Sequence, residues 1–158
     1  MRAASPILAA ALAATIFAAA NAGAPAVHTG GHAGLFDIVL HPGFAHNNIV
    51  YLTCAAGTKQ ANGTQVARAR FNGSALRDLQ VIFRALPLKD TDNHYGGRLA
   101  LLPDGTFVLT IGEGFEYREN AQDLTSDLGK IVRLNDDGSV PQDNPFIGQA
   151  SARPEIYT

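Results

Sequence analysis

The chain is a succession of apolar runs three to seven residues long, and turn-forming residues separate them. No stretch after residue 22 carries the 3.6-residue period of an amphipathic helix. The runs are Leu35–Leu40, Asn48–Cys54, Gln65–Phe71, Leu79–Phe83, Arg98–Leu102, Thr106–Ile111, Lys130–Leu134 and Glu155–Tyr157. Several are rich in β-branched and aromatic residues, as in Ile49-Val50-Tyr51-Leu52, which suit a pleated surface. Between them stand Asn62-Gly63, Asn72-Gly73, Pro103-Asp104-Gly105 and Asp136-Asp137-Gly138, the residues that close tight turns. The pattern predicts an all-β chain of eight short strands. Gln65–Phe71 alternates and reads as half-buried. Ala121 to Leu128 is expected to form no more than a turn or two of helix, and Gly23 to Gly34, rich in Gly and Ala, reads as loop.

An internal echo narrows the architecture. Leu35 to Pro42 leads into Ile49 to Thr53, and roughly 60 residues later Gly97 to Pro103 leads into Phe107 to Gly112. Each time two strands are joined by a Pro-containing turn and two more follow. Four strands per unit is the content of a propeller blade. A β-sandwich of about seven strands fits the same turn spacing. Two blades cannot close a ring, and stacked blades stabilise their neighbours. On the propeller reading the chain is therefore an incomplete part of a larger whole.

Residues 1–22 read as a signal peptide. Arg2 is the positive start, Ile7 to Ala20 is uncharged and apolar, and Ala20-Asn21-Ala22 offers a small-x-small cleavage site. At about 14 residues the apolar stretch is short of the ~20 that a spanning helix needs. The expected mature protein, residues 23–158, is periplasmic or secreted, with no membrane span once the leader is removed. Its charge is no help to a polyanion: 12 Lys and Arg against 14 Asp and Glu give −2 for the whole chain, so a nucleic-acid partner is not expected. A single cysteine, Cys54, excludes an internal disulfide and a Cys-rich metal site.

Five histidines carry the search for chemistry. His28 and His32 lie four apart in a Gly-rich stretch, where that spacing does not bring ligands together. His41 and His46 sit in a turn. His94 differs, because it lies in the polar loop Thr91-Asp92-Asn93-His94-Tyr95-Gly96-Gly97-Arg98 just before an apolar strand. In a propeller the innermost strand of a blade starts near the central channel, and a neutral imidazole there is placed to accept a proton. Glu113, in the loop after the next strand, comes alongside if the two strands pair; the alternative is a loop histidine that is only hydrogen-bonded. No dinucleotide fingerprint, phosphate loop or nucleophile elbow is present. Asp90-Thr91-Asp92 and Asn135-Asp136-Asp137-Gly138 lack the spacing of a calcium loop, and no metal ligand is assigned. Asn62-Gly63-Thr64 and Asn72-Gly73-Ser74 are formal glycosylation sequons that read first as hairpin turns.

Four blocks in order point to a family. Gly34-Leu35-Phe36-Asp37-Ile38-Val39-Leu40-His41-Pro42-Gly43-Phe44 is followed by Asn48-Ile49-Val50-Tyr51-Leu52 and then by Asn93-His94-Tyr95-Gly96-Gly97-Arg98-Leu99. The last block is Leu128-Gly129-Lys130-Ile131-Val132-Arg133-Leu134-Asn135, with Asp137 to Pro141 and Asp143 to Phe146 after it. Together they resemble the soluble quinoprotein aldose (glucose/sorbosone) dehydrogenases over roughly residues 31–158. The resemblance implies a six-bladed β-propeller, of which this chain covers about two blades. It implies oxidation of the C1 hydroxyl of an aldose to a lactone, with hydride passing to pyrroloquinoline quinone (PQQ) beside calcium, and an external electron acceptor. It places the general base at His94 and its orienting carboxylate at Glu113, where the family usually has the shorter aspartate. It places Asn93 and His32 at the sugar pocket, although glutamine is usual at the latter. The residues that hold quinone and calcium are expected beyond Thr158, and the strands that usually precede Gly34 are replaced by the leader. The chain alone is therefore expected to be inactive. The alternative is a secreted, non-catalytic propeller that serves as a binding module.

Overall fold

The computed structural model describes Gly23 to Thr158, so the expected signal peptide lies outside the described residues. Seven strands form two antiparallel sheets. The first contains β1 (Leu35–Leu40), β2 (Ile49–Thr58), β3 (Ala61–Phe71) and β4 (Leu76–Arg84), in that order. The second contains β5 (Gly96–Leu101), β6 (Phe107–Ile111) and β7 (Ile131–Leu134), also in chain order. A one-turn helix, α1 (Phe44–Asn47), joins β1 to β2, and a 3-10 helix spans Arg118–Gln122. Each sheet is an up-and-down blade, and the echo in the sequence is the repetition of this unit.

The eighth expected strand is reduced to one bridge, Val132 to Ile156. Backbone bonds from Arg133 N to Glu155 O (2.9 Å) and Tyr157 N to Ile131 O (2.8 Å) still lay this segment along β7. The Gly23–Gly34 segment is loop, as expected, apart from a bridge between Gly30 and Ala33.

Three turn signals behave as expected. Asn72, Asp104 and Asp137 each accept backbone N–H groups two or three residues ahead, the Asx-turn pattern. Asn62-Gly63 does not. It lies inside β3, paired with Gly57 and Ala56, and the hairpin closes earlier, at Lys59-Gln60. Asn62 is fully buried. Its side-chain amide donates back to the Thr58 carbonyl (3.1 Å), and its side-chain oxygen accepts from the Tyr95 hydroxyl (2.7 Å). Those partners place it in the sheet and away from the bend.

β3 also departs from the half-buried expectation. Only its last residues alternate, and Asn62 to Ala67 are buried on both faces. One face meets the second sheet. There Ile49, Tyr51 and Val66 pack with Leu99, Phe107, Leu109, Val132 and Leu134. The other face carries a second cluster of Val50, Leu52, Ala69, Phe71 and Leu76. Cys54 is one of the fully buried strand residues.

Polar stitches register the two blades. Thr53 donates to the Gly97 carbonyl (2.5 Å) and Thr64 to the Tyr95 carbonyl (2.7 Å). On the loop after β7, Asp136 accepts from the Tyr51 hydroxyl and from Arg68 at 2.9 Å. Gly97, at the start of β5, lies close against Phe36 of the other blade. Its φ is +93°, and a Cβ there would run into the Phe36 ring. Gly97→Ala combines backbone strain with overpacking and is expected to destabilise the intact protein by about 2–4 kcal/mol. A shift in the denaturant midpoint at unchanged slope reads this out.

Candidate active site

The site grows from the strand pairing of β5 with β6. Gly96 is the register partner of Ile111, so the residues just before β5 and just after β6 emerge at the same edge. Gly112 N donates to the Tyr95 carbonyl (2.9 Å), and Gly114 N to the His94 carbonyl (3.2 Å). His94 and Glu113, 19 positions apart, are thereby set side by side, with His94 Nδ1 2.6 Å from Glu113 Oε1. The extra methylene of glutamate does not prevent the contact.

The protonation pattern follows from the partners. Partial burial pushes the Glu113 carboxyl up. The hydrogen bond from His94, backbone donation including that from Phe115 N, and the His94 charge outweigh it and hold the group below its ordinary value. Glu113 is therefore ionised near neutral pH and only accepts hydrogen bonds. Nδ1 must then carry the proton in the neutral ring, and the lone pair sits on Nε2. Nε2 has no hydrogen-bond partner among the described residues, and the side chain is 42% exposed. The ring is braced on two sides. His32 lies parallel to it at 6.0 Å between centroids, and Phe115 meets it edge-on at 5.3 Å.

His94 has φ +43°, left-handed for a non-glycine residue, a conformation that costs about 1–3 kcal/mol. The surrounding loop sustains it. Thr91 donates to the Gly114 carbonyl at 2.7 Å. The Gly23–Gly34 segment straps the same loop from the other side. His28 Nε2 is 2.7 Å from Asp92 Oδ1, and His32 N donates to the Asp92 carbonyl at 2.7 Å. The strap brings His32 to His94, although they are 62 residues apart in the chain. Asn93 is partly buried beside them and holds its backbone carbonyl toward Lys89.

The sequence reading passed over Lys89, Asp92 and Phe115 as participants. Lys89 stands in Leu88-Lys89-Asp90, which resembles an ordinary solvated turn, and nothing in the local pattern marks it as buried. The pairing of His28 with Asp92 depends on where the Gly-rich segment runs, which no periodicity specifies. Among the described residues no group of three or more His, Cys, Asp and Glu side chains is placed to hold a metal ion. Of the nearby cations, Lys89 is held by backbone carbonyls, Arg98 lies 3.4 Å from Asp37, and Arg118 lies over the Phe115 ring at 4.3 Å. The described residues thus present a bare imidazole nitrogen on a ring held by a carboxylate.

The profile of the glucose/sorbosone dehydrogenase family matches residues 10–158, and the chain belongs to that family. Relatives include an uncharacterized protein of Synechocystis sp., 48% identical over 134 residues, which covers 79% of this chain and 32% of the relative. The aldose sugar dehydrogenase YliI of Escherichia coli is 40% identical over 139 residues, or 86% of this chain and 37% of that protein. Among solved structures, the apo soluble aldose sugar dehydrogenase of E. coli superposes with a TM-score of 0.80 at 39% identity, covering 85% of this chain and 39% of that one. The PQQ-bound aldose sugar dehydrogenase of Streptomyces coelicolor gives 0.71 at 28% identity, covering 84% and 37%. The chain thus spans about a third of the length of the curated relatives it matches. Its two sheets are blades of the β-propeller that these dehydrogenases share. Among the described residues no helix is long and apolar enough to cross a membrane.

Proposed function

We propose that this chain is the part of an exported quinoprotein sugar dehydrogenase that carries the catalytic base. The substrate is an aldose, and its C1 hydroxyl is oxidised to the lactone. The observation that carries the reading is the 2.6 Å contact between His94 Nδ1 and Glu113, made by the family's Asn-His-x-Gly-Gly-Arg block. PQQ, when bound with calcium, supplies the hydride acceptor, and an external acceptor reoxidises it. The groups that hold both belong to the rest of the propeller.

The residues of this chain handle the proton. Nε2 of His94 takes it from the C1 hydroxyl as the C1 hydride leaves. Glu113 stabilises the imidazolium that results and keeps the ring from turning. His32 and Asn93 line the sugar's approach, and His32 also stacks beside the base. A positioned base of this kind contributes typically about 10²–10⁴-fold to a rate.

The test reconstitutes the intact protein with PQQ and calcium and follows sugar-dependent dye reduction. Turnover that requires the quinone supports the reading. A folded, quinone-loaded protein that reduces no dye with any aldose overturns it in favour of a non-catalytic propeller. Glu113→Gln keeps the size of the side chain and removes its charge. It is expected to lower kcat roughly 10- to 100-fold through misorientation of the base, with KM little changed. Glu113→Asp, the shorter carboxylate, is expected to retain more activity than the amide.

A further inference from the structure

Beneath the loop that carries His94 lies a lysine that solvent barely reaches. Lys89 is 2% exposed. Burying an ammonium is costly unless its donors are satisfied, and here they are. Nζ donates to the carbonyls of Thr91 (2.7 Å) and Asn93 (2.8 Å), and its remaining side faces the Tyr95 ring, 3.4 Å from the centroid. Its backbone is bolted to β3, because Lys89 and Asn62 exchange two backbone hydrogen bonds of 2.8 Å. Asn62 also fixes the Tyr95 hydroxyl. Gly114, next to Glu113, lies so close that a Cβ there would sit 2.7 Å from Lys89 Cδ.

The geometry points to Lys89 as a positioning residue for His94. This assignment rests on the proposed role of His94 as the base. Lys89 grips the Thr91 and Asn93 carbonyls, three residues and one residue before His94, and the ring that follows it, and so sets the left-handed turn that aims the imidazole at Glu113. The interior carbonyls of the loop face buried space, and an ammonium with three donors is what converges on them. Methionine fills the same volume and grips nothing.

Burial lowers the Lys89 pKa to about 8, while the charges of Asp92 and Glu113 resist the shift. The titratable groups around it are Asp92 and Glu113, Tyr95, pushed up to about 12 by burial and by Asp92, and His28 and His94 behind those carboxylates. Between pH about 8 and the ordinary lysine value of 10.5 the unfolded chain binds a proton that the folded chain has released. This group therefore makes stability rise with pH across that window. Lys89→Met should abolish that rise.

The experiment uses the intact protein with 13C-labelled histidine rings and lysine Cε; His94→Ala assigns the His94 resonance and Lys89→Met that of Lys89. In Lys89→Met the His94 signal is expected to broaden or split, and kcat to fall roughly 10- to 100-fold with KM changed less than about threefold. In the wild type, raising the pH through the Lys89 titration, followed at its Cε, should move the His94 signal in step. The wild-type titration needs no variant, so a variant that fails to fold does not leave the question open. A single sharp His94 resonance in Lys89→Met, or a His94 signal that ignores the Lys89 titration, overturns the assignment. A wild type without quinone-dependent turnover overturns the dehydrogenase reading by itself, and the resonance still decides whether Lys89 holds His94.

Discussion

Replacing His94 with alanine is expected to lower kcat of the intact, quinone-loaded enzyme by roughly 10²–10⁴-fold, the largest functional effect of any single change in this chain. The bare Nε2 that accepts the hydroxyl proton disappears. Glu113 keeps its charge and its bond from Phe115 N but has no imidazolium to stabilise. Stability should move far less, because the ring is 42% exposed on its side-chain surface. The strained φ of +43° at this position is held by backbone bonds and the Lys89 ammonium and does not depend on the ring. Steady-state dye reduction over a range of aldose concentrations separates the outcomes. A large loss in kcat with quinone binding intact supports the base. Activity within a few-fold of the wild type would remove His94 from the proton's path, and with it the role of Glu113.

Phe107→Ala is expected to cost about 3–5 kcal/mol of stability without touching the site. Phe107 begins β6, is fully buried, and packs its ring 5.7 Å from that of Tyr51 in the other blade. It pairs with Leu101 on one side and Leu134 on the other, so neither neighbouring strand is free to close the cavity. Tyr51 is itself held by Asp136, which also binds Arg68, and that clamp keeps the blade faces from collapsing together. Denaturant unfolding of the intact protein should show an earlier midpoint. A loss under about 1 kcal/mol would mean that the blades repack freely. Residual enzyme assayed well below the midpoint should keep its KM, because the site depends on the edge where β5 begins and β6 ends.

Much of this protein is legible along the chain. Seven of the eight expected runs form strands, because alternation, β-branched content and Asx turns act within a few residues. The nearness of Glu113 to His94 was legible too, since it needs only that two neighbouring strands pair. The resemblance of the Gly34–Phe44, Asn93–Leu99 and Leu128–Asn135 blocks led to the family to which the chain belongs. What failed in the reading failed for one reason. Asn62-Gly63 has the chemistry of a turn, but the Tyr95 hydroxyl and the Lys89 backbone, 33 and 27 positions away, hold Asn62 inside a strand. Gln65–Phe71 reads as half-buried because a single chain segment does not reveal that its other face will also be covered.

The sequence by itself determined the rhythm of strands, the positions of most turns, the family, and the pair of residues proposed for proton transfer. Only the tertiary structure decided that Lys89 is buried, that His28 reaches Asp92, and that His32 lies against His94. The physical reason is range. Backbone preference and side-chain alternation are written in neighbouring residues. The burial of a charge, by contrast, depends on which distant carbonyls and rings converge on it, and those are brought together only when the two blades and the strap close over the loop.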